Sequence, residues 1–196
     1  MMKQLIQTKC LIRLWTSLVC AITLFACKQQ SYSSPDGYDL NKPQKENLGK
    51  VLNEISGICF DADNNSLLAI SDSKEKVFQL NLNKQKLKDF TNNVVPGKSD
   101  LEDITKVDSS IYLLSSKGII YEVHAGKKDT TGMKSYPFNT DEQNDFETLY
   151  YDSSANALIM IGKHCQSDKG KEARTDYRFD LAKKEFESST FFTMST

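Results

Sequence analysis

Three short segments share one plan at a nearly fixed interval: Ser56-Gly57-Ile58, Glu102-Asp103-Ile104 and Glu147-Thr148-Leu149 stand 46 and then 45 residues apart. Each opens a set of short runs rich in β-branched and aromatic residues, separated by Asn-Asn, Ser-Ser, Lys-Gly and Asn-Lys turn signals. A repeat of this length, with four such runs in it, suits a four-stranded propeller blade. The first unit supplies ISGICFDA, SLLAISD, VFQLNL and KLKDF as strands; the second supplies DITKVD, IYLLSS, IIYEV and MKSYPF; the third supplies ETLYYD, ALIMIG, DYRFDL and EFESSTFF. Helical heptads are absent. The expected fold is all-β and propeller-like, with about three four-stranded blades between residues 52 and 196.

Antiparallel pairing then gives the acids a destination. The first strand of a blade begins, and the second ends, at the same edge, so the connections into each blade and between its middle strands share one face. Glu102, Asp103, Asp145 and Glu147 should therefore ring an axial opening, joined by Asp72, Ser116, Lys163 and His164 at the ends of second strands. Hard oxygen ligands facing one axis suit Ca²⁺ or another divalent cation, or the positioning of a water. The reading assigns Glu102, Asp103 and Glu147 to a metal and Asp72, Lys163 and His164 to a ligand. The competing reading is that acids before a strand accept hydrogen bonds from turn amides or block edge pairing. The first unit departs from the pattern, with Ser56-Gly57 in the acidic position and Glu54 displaced by two residues.

The N-terminus reads as targeting sequence. Lys3, Lys9 and Arg13 form a charged region, and Leu14 to Ala26 is apolar but short for a bilayer span. The segment closes on Leu24-Phe25-Ala26-Cys27, which resembles a bacterial lipobox, so residues 1–26 are expected to be a lipoprotein signal peptide and Cys27 the lipidated first residue of the mature chain. A plain anchor helix or an ordinary secretory signal is the alternative. Residues 27–51 are expected to carry the lipidated cysteine and a polar, flexible tether containing Pro35 and Pro43. Without the first 26 residues the chain has 22 basic and 26 acidic side chains, which gives no basic surface for nucleic acid.

The order and spacing of YDLNKP (Tyr38 to Pro43), EISGICFD (Glu54 to Asp61), LLAISDSKEKVFQLNL, DLEDITKVDSSIYLLSSKGIIYEV, DFETLYYD and KHCQSDKGKEARTDYRFDL resemble the SdiA-regulated family of Bacteroidetes-type lipoproteins, related in fold to the YjiK-like propellers. The resemblance implies a propeller held on the outside of a membrane in the bacterial cell envelope, outer or plasma membrane, with Ca²⁺ as candidate cofactor. It also implies about six blades, against three here. A half propeller leaves open sheet edges through which self-association is expected, and the chain is read as a truncated product, a fragment or half of an assembly.

Other candidate chemistry is thin. Cys59 sits in a strand-like run and reads as a small buried hydrophobe, and nothing brings it near Cys165 for a disulfide. His164-Cys165 is one adjacent pair of soft ligands without a second pair at zinc spacing, and His124 reads as a solvated strand-end residue. No GxSxG motif is present. Lys163, Lys169, Lys171 and Arg174 form a basic loop, read either as a solvated hairpin or as a clamp for an anionic ligand. The expected function is a membrane-anchored, noncatalytic propeller that binds a small molecule or protein at its acidic face. The alternatives are a metal-dependent hydrolase of phosphate esters or lactones, and a truncated, inactive relative.

Overall fold

The apolar run Ile111-Tyr112-Leu113-Leu114 is buried on both of its faces, as a strand must be when it lies inside a sheet that is itself covered on two sides. It belongs to the middle of three antiparallel sheets in the computed structural model, which describes residues 32–43, 45, 47–71, 73–91, 95, 99–124, 133–139 and 142–195. The chain divides into two compact units, Met1–Asn47 and Leu48–Thr196.

In the first unit the described residues form a locally bonded turn. The Tyr32 amide donates to the Asn41 side-chain oxygen at 2.9 Å while the Asn41 amide nitrogen donates back to the Tyr32 carbonyl at 3.0 Å. The Leu40 amide donates to Ser34 Oγ.

The second unit consists of three four-stranded blades. Blade one is β1 (Ile55–Asp61), β2 (Ser66–Ser71), β3 (Lys74–Asn81) and β4 (Lys86–Asp89); blade two is β5 (Leu101–Val107), β6 (Ser110–Ser115), β7 (Ile119–His124) and β8 (Lys134–Pro137). Blade three is β9 (Asn144–Asp152), β10 (Ala157–Cys165), β11 (Ala173–Asp180) and β12 (Glu185–Ser195). In each the strands pair antiparallel in sequence order, and no α-helix occurs among the described residues. The expected all-β, three-bladed, propeller-like architecture is what the chain adopts. The turns between first and second strands each hold an Asn or Asp at positive φ: Asn65 at 44°, Asp108 at 51° and Asn156 at 46°. These short polar side chains tolerate the left-handed conformation that a tight turn requires.

The blades stack face to face, with β1 against β5 and β5 against β9. Leu68, Ile70 and Val77 of blade one interlock with Ile104, Ile111, Leu113, Tyr121 and Val123 of blade two. Tyr112, Leu114 and Ile120 on the other side of blade two pack against Phe146, Leu149, Leu158, Met160, Tyr177 and Phe179 of blade three. Each fully buried apolar side chain in these layers contributes roughly 1.5–3 kcal/mol. Position 57 is glycine because the approach is close: a Cβ there would lie 2.8 Å from Asp103 Cα and 2.9 Å from the Ile104 nitrogen. The alternation of β1 turns Gly57, Cys59 and Asp61 toward blade two, and on the opposite face leaves Ile58 57% and Phe60 55% exposed. Leu48 and Leu52 pack with Ala69 and Phe78 on blade one, so the chain joins this unit a few residues before the expected start at residue 52.

Candidate functional site

The repeated segments fold into the same irregularity. In β1 the pairing passes from Ile55 opposite Ser71 to Gly57 opposite Ile70, skipping Ser56. In β5 it passes from Leu101 opposite Ser115 to Asp103 opposite Leu114, skipping Glu102. In β9 Phe146 faces Gly162 and Thr148 faces Ile161, skipping Glu147, while on β10 Lys163 is skipped between Gly162 and His164. A residue left out of the ladder in this way is re-aimed away from the pleat. Glu102, Glu147 and Lys163 are therefore delivered to one end of the blades by bulges that the period alone did not announce.

The electrostatics show that the acids meet. Burial first, then the negative charges of Glu147, Asp100 and Asp145, push the Glu102 carboxyl up to about 7, with Lys163 acting in the opposite sense. Lys163 Nζ lies 2.7 Å from Glu147 Oε1, and this hydrogen bond raises the lysine above its ordinary value. Since the folded-state value of Glu102 lies above the usual 4.5, the fold binds this proton more tightly than the unfolded chain, and stability falls as pH rises from about 4.5 through about 7. Glu102→Gln should consequently stabilise the protein at pH 8 by about 1 kcal/mol, after allowance for solvent screening of a partly exposed group. The gain should vanish below pH 4.5 in urea unfolding curves, and a gain that is independent of pH would remove this account.

Asp103 departs from the predicted trio of metal ligands. Its Oδ1 accepts the Ile104 amide at 2.8 Å and its Oδ2 accepts the Leu149 amide of the next blade at 2.7 Å. Burial lifts its carboxyl above the ordinary range and these two amides pull the other way. The side chain is thus a staple between blades two and three, in line with the reading that acids here bond turn and strand amides. Asp100, at φ 48°, accepts the Ser116 hydroxyl at 2.8 Å through Oδ2 and the Ser116 amide at 2.9 Å through its carbonyl. Among the described residues no three His, Cys, Asp or Glu side chains are grouped to hold a metal ion. Asp72 and Cys27 lie outside the described residues.

His164 faces Asp145 across the β9–β10 ladder and is exposed, while Cys165 is buried. Both line one cleft, but among the described residues no group of three His, Cys, Asp or Glu side chains includes them, so the pair lacks the further ligands a zinc site needs. The cleft, of about 800 Å³, lies between blades two and three and is lined also by Lys117, Asn144, Lys169 and Arg174. Sequence reading missed Lys117, which stands in the turn between β6 and β7, and Asp168, whose buried carboxylate accepts both the amide and the hydroxyl of Thr175 and so organises the basic loop. It missed Glu122 as well. That residue is the lone acid inside the apolar run IIYEV, and a charge at such a position needs several partners.

The sequence model of the SdiA-regulated family matches residues 32–165, more than half of the chain. The chain belongs to the SdiA-regulated family. No curated protein matches the sequence. Among solved structures, a luciferin-regenerating enzyme superposes with a TM-score of 0.50 at 10% identity, covering 68% of this chain and 44% of the other. The N-terminal domain of Nup159 gives a TM-score of 0.37 at 12% identity, with 79% of this chain and 34% of that one covered. The first likeness concerns the fold alone. This SdiA-regulated chain thus spans less than half the length of the enzyme it superposes on. Its two described cysteines, Cys59 and Cys165, are free, and burial raises both thiols to about 12, which leaves them protonated and unreactive at neutral pH.

Proposed function

We propose that this protein is a noncatalytic, membrane-anchored propeller that binds a ligand or partner on the face carrying Glu102, Glu147, Lys163 and His164. The observation that supports the reading is the repeated bulge, which brings Glu102 and Glu147 from neighbouring blades close enough for their charges to act on each other. Two carboxylates that repel cost the fold stability, and their convergence beside Lys163 suits a site that charges are brought to. Ca²⁺ fits here only as a bridge. With Asp103 committed to backbone amides, two carboxylates leave most of the six to eight oxygen positions around Ca²⁺ to be filled by the ligand or by water.

Millimolar Ca²⁺ added to metal-stripped protein is expected to raise the melting temperature, because a ligand bound only by the folded state stabilises it by mass action. Glu147→Gln should lose most of that shift. An unchanged melting curve would remove the cation while leaving the ligand face in place. Turnover of a phosphate ester or lactone that requires metal and disappears in Glu147→Ala would replace the noncatalytic reading by the hydrolase one.

The membrane part of the proposal rests on the lipobox-like Leu24 to Cys27 and the charged, then apolar, segment before it. Two acyl chains on one cysteine suffice for stable attachment. Growth with a fatty-acid analogue should label the wild-type protein and leave Cys27→Ser unlabelled and uncleaved. Absence of label at Cys27 would end the lipoprotein reading.

A further inference from the structure

The cleft between blades two and three has a chemistry of its own. One wall is the β6–β7 turn with Lys117, the other runs from His164 at the end of β10 to Arg174 at the start of β11, Phe138 comes from the connection between the blades and Asn144 opens β9. Lys117, Lys169 and Arg174 form no salt bridge among the described residues; the Arg174 guanidinium has one bond, from Nη1 to the carbonyl of Ala173 at 3.0 Å. The Asn144 amide is oriented by its oxygen, which accepts the Gln166 amide at 3.1 Å. That fixes its nitrogen on the other side, where it is buried and meets no acceptor among the described residues. Three cations that line one cleft with no ion-pair partner among the described residues are a set of donors for an acceptor from outside the chain.

The acids of the cleft are compatible with this. Asp168 keeps its charge but is turned toward Thr175, whose amide and hydroxyl occupy both of its oxygens. Glu142 and Asp145 also line the space, so a bound anion has to set its charged group against Lys117, Lys169 and Arg174 and away from these acids. Phe138 supplies an apolar surface, fixed in place by Phe146, Tyr177 and Phe186, whose ring centroids lie 4.5 to 5.8 Å from its own or one another's.

We propose that this cleft binds a small organic anion, a phosphate monoester or a carboxylate, with its charged group held between Lys117 of blade two and Lys169 and Arg174 of blade three, and its apolar body against Phe138. The assignment rests on the reading of this end of the blades as the ligand-binding face, and it supplies the class of ligand. It also explains why the two blades are clamped at this end by Asp103: the donors come from both, and only a fixed spacing keeps them complementary to one anion.

Calorimetric titration of the whole protein with phenyl phosphate, benzoate and uncharged benzyl alcohol tests it. One or both anions should bind and the alcohol should not, with the stronger of the two naming the charged group. Arg174→Gln and Lys117→Gln should each weaken binding about tenfold or more at unchanged melting temperature. Should either variant fail to fold, raising NaCl from about 0.05 to 0.5 M on the wild type serves instead, since screening must weaken an ionic contact. Failure of both anions to bind, equal binding of the alcohol, or binding indifferent to both variants and salt would overturn the proposal. The Ca²⁺-dependent rise in the melting temperature of the wild type separates the two readings: with that rise present, failure of both anions to bind condemns the cleft alone, and with neither response the reading of this face fails as well.

Discussion

Replacing Glu122 by alanine is expected to destabilise the protein by about 3 kcal/mol at pH 7, at the lower end of the cost of leaving a buried ion pair without its partner. The carboxylate is 5% exposed and receives four donors: the hydroxyls of Tyr136 at 2.7 Å, Tyr112 at 3.0 Å and Ser110 at 3.2 Å, and Lys184 Nζ at 2.9 Å. Lys184 comes from the β11–β12 turn and also lies over the Tyr112 ring, 5.0 Å from its centroid, so the node ties blade three to blade two at the end opposite the candidate site. Truncation strands the ammonium and both phenols together. Burial pushes the Glu122 carboxyl up, but Tyr136, Lys184 and Tyr112 outweigh it and hold the group at about 2. A folded value below the unfolded one means that the stabilisation is fully present above pH 4.5 and is lost as pH falls toward about 2. The wild type should therefore outlast Glu122→Gln in urea at pH 7 by a margin that shrinks steadily below pH 4.5. A loss under about 0.5 kcal/mol in the alanine variant would place it among neutral surface changes and show that the node does not hold the blades.

How far the sequence could be read depends on the range of the interaction concerned. Strand alternation and turn residues are local, so all twelve strands and the period of 46 and 45 residues were legible from runs such as IYLLSS and the Asn and Asp turns. Convergence of Glu102, Asp145 and Glu147 was legible too, because antiparallel order alone puts them at one end, whereas Asp103 was expected in the ring and Asp100 outside it. What each acid does there was not. Glu102 and Asp103 are neighbours with the same chemistry, yet the bulge sends the first toward the open face and leaves the second between blades. A bulge reflects how two strands and the next blade fit together, which no single strand encodes. The cleft was hidden for the same reason: Lys117 and Arg174 are 57 residues apart and meet only because their loops share an edge.

The Asp103 assignment separates most sharply from a metal-ligand role by mutation. Asp103→Ala removes the acceptor of the Leu149 amide and of the Ile104 amide at once, and opens a gap against Gly57, so a loss of roughly 2–4 kcal/mol is expected in the absence of any metal. Asp103→Asn retains one carbonyl oxygen, enough for one of the two amides, and should recover about half of that loss. If Asp103 were instead a ligand for Ca²⁺, the asparagine variant would keep the stability of the metal-free protein and lose the Ca²⁺-dependent rise in melting temperature. A staple predicts the reverse, a lower melting temperature with the Ca²⁺ increment unchanged. Gly57 adds an internal check. A methyl group there would collide with Asp103 Cα and the Ile104 nitrogen as well as with the carboxylate, so Gly57→Ala should remain destabilising even when Asp103 is alanine. Rescue of Gly57→Ala by Asp103→Ala would mean that the carboxylate, and not the closeness of the two backbones, sets the spacing of blades one and two.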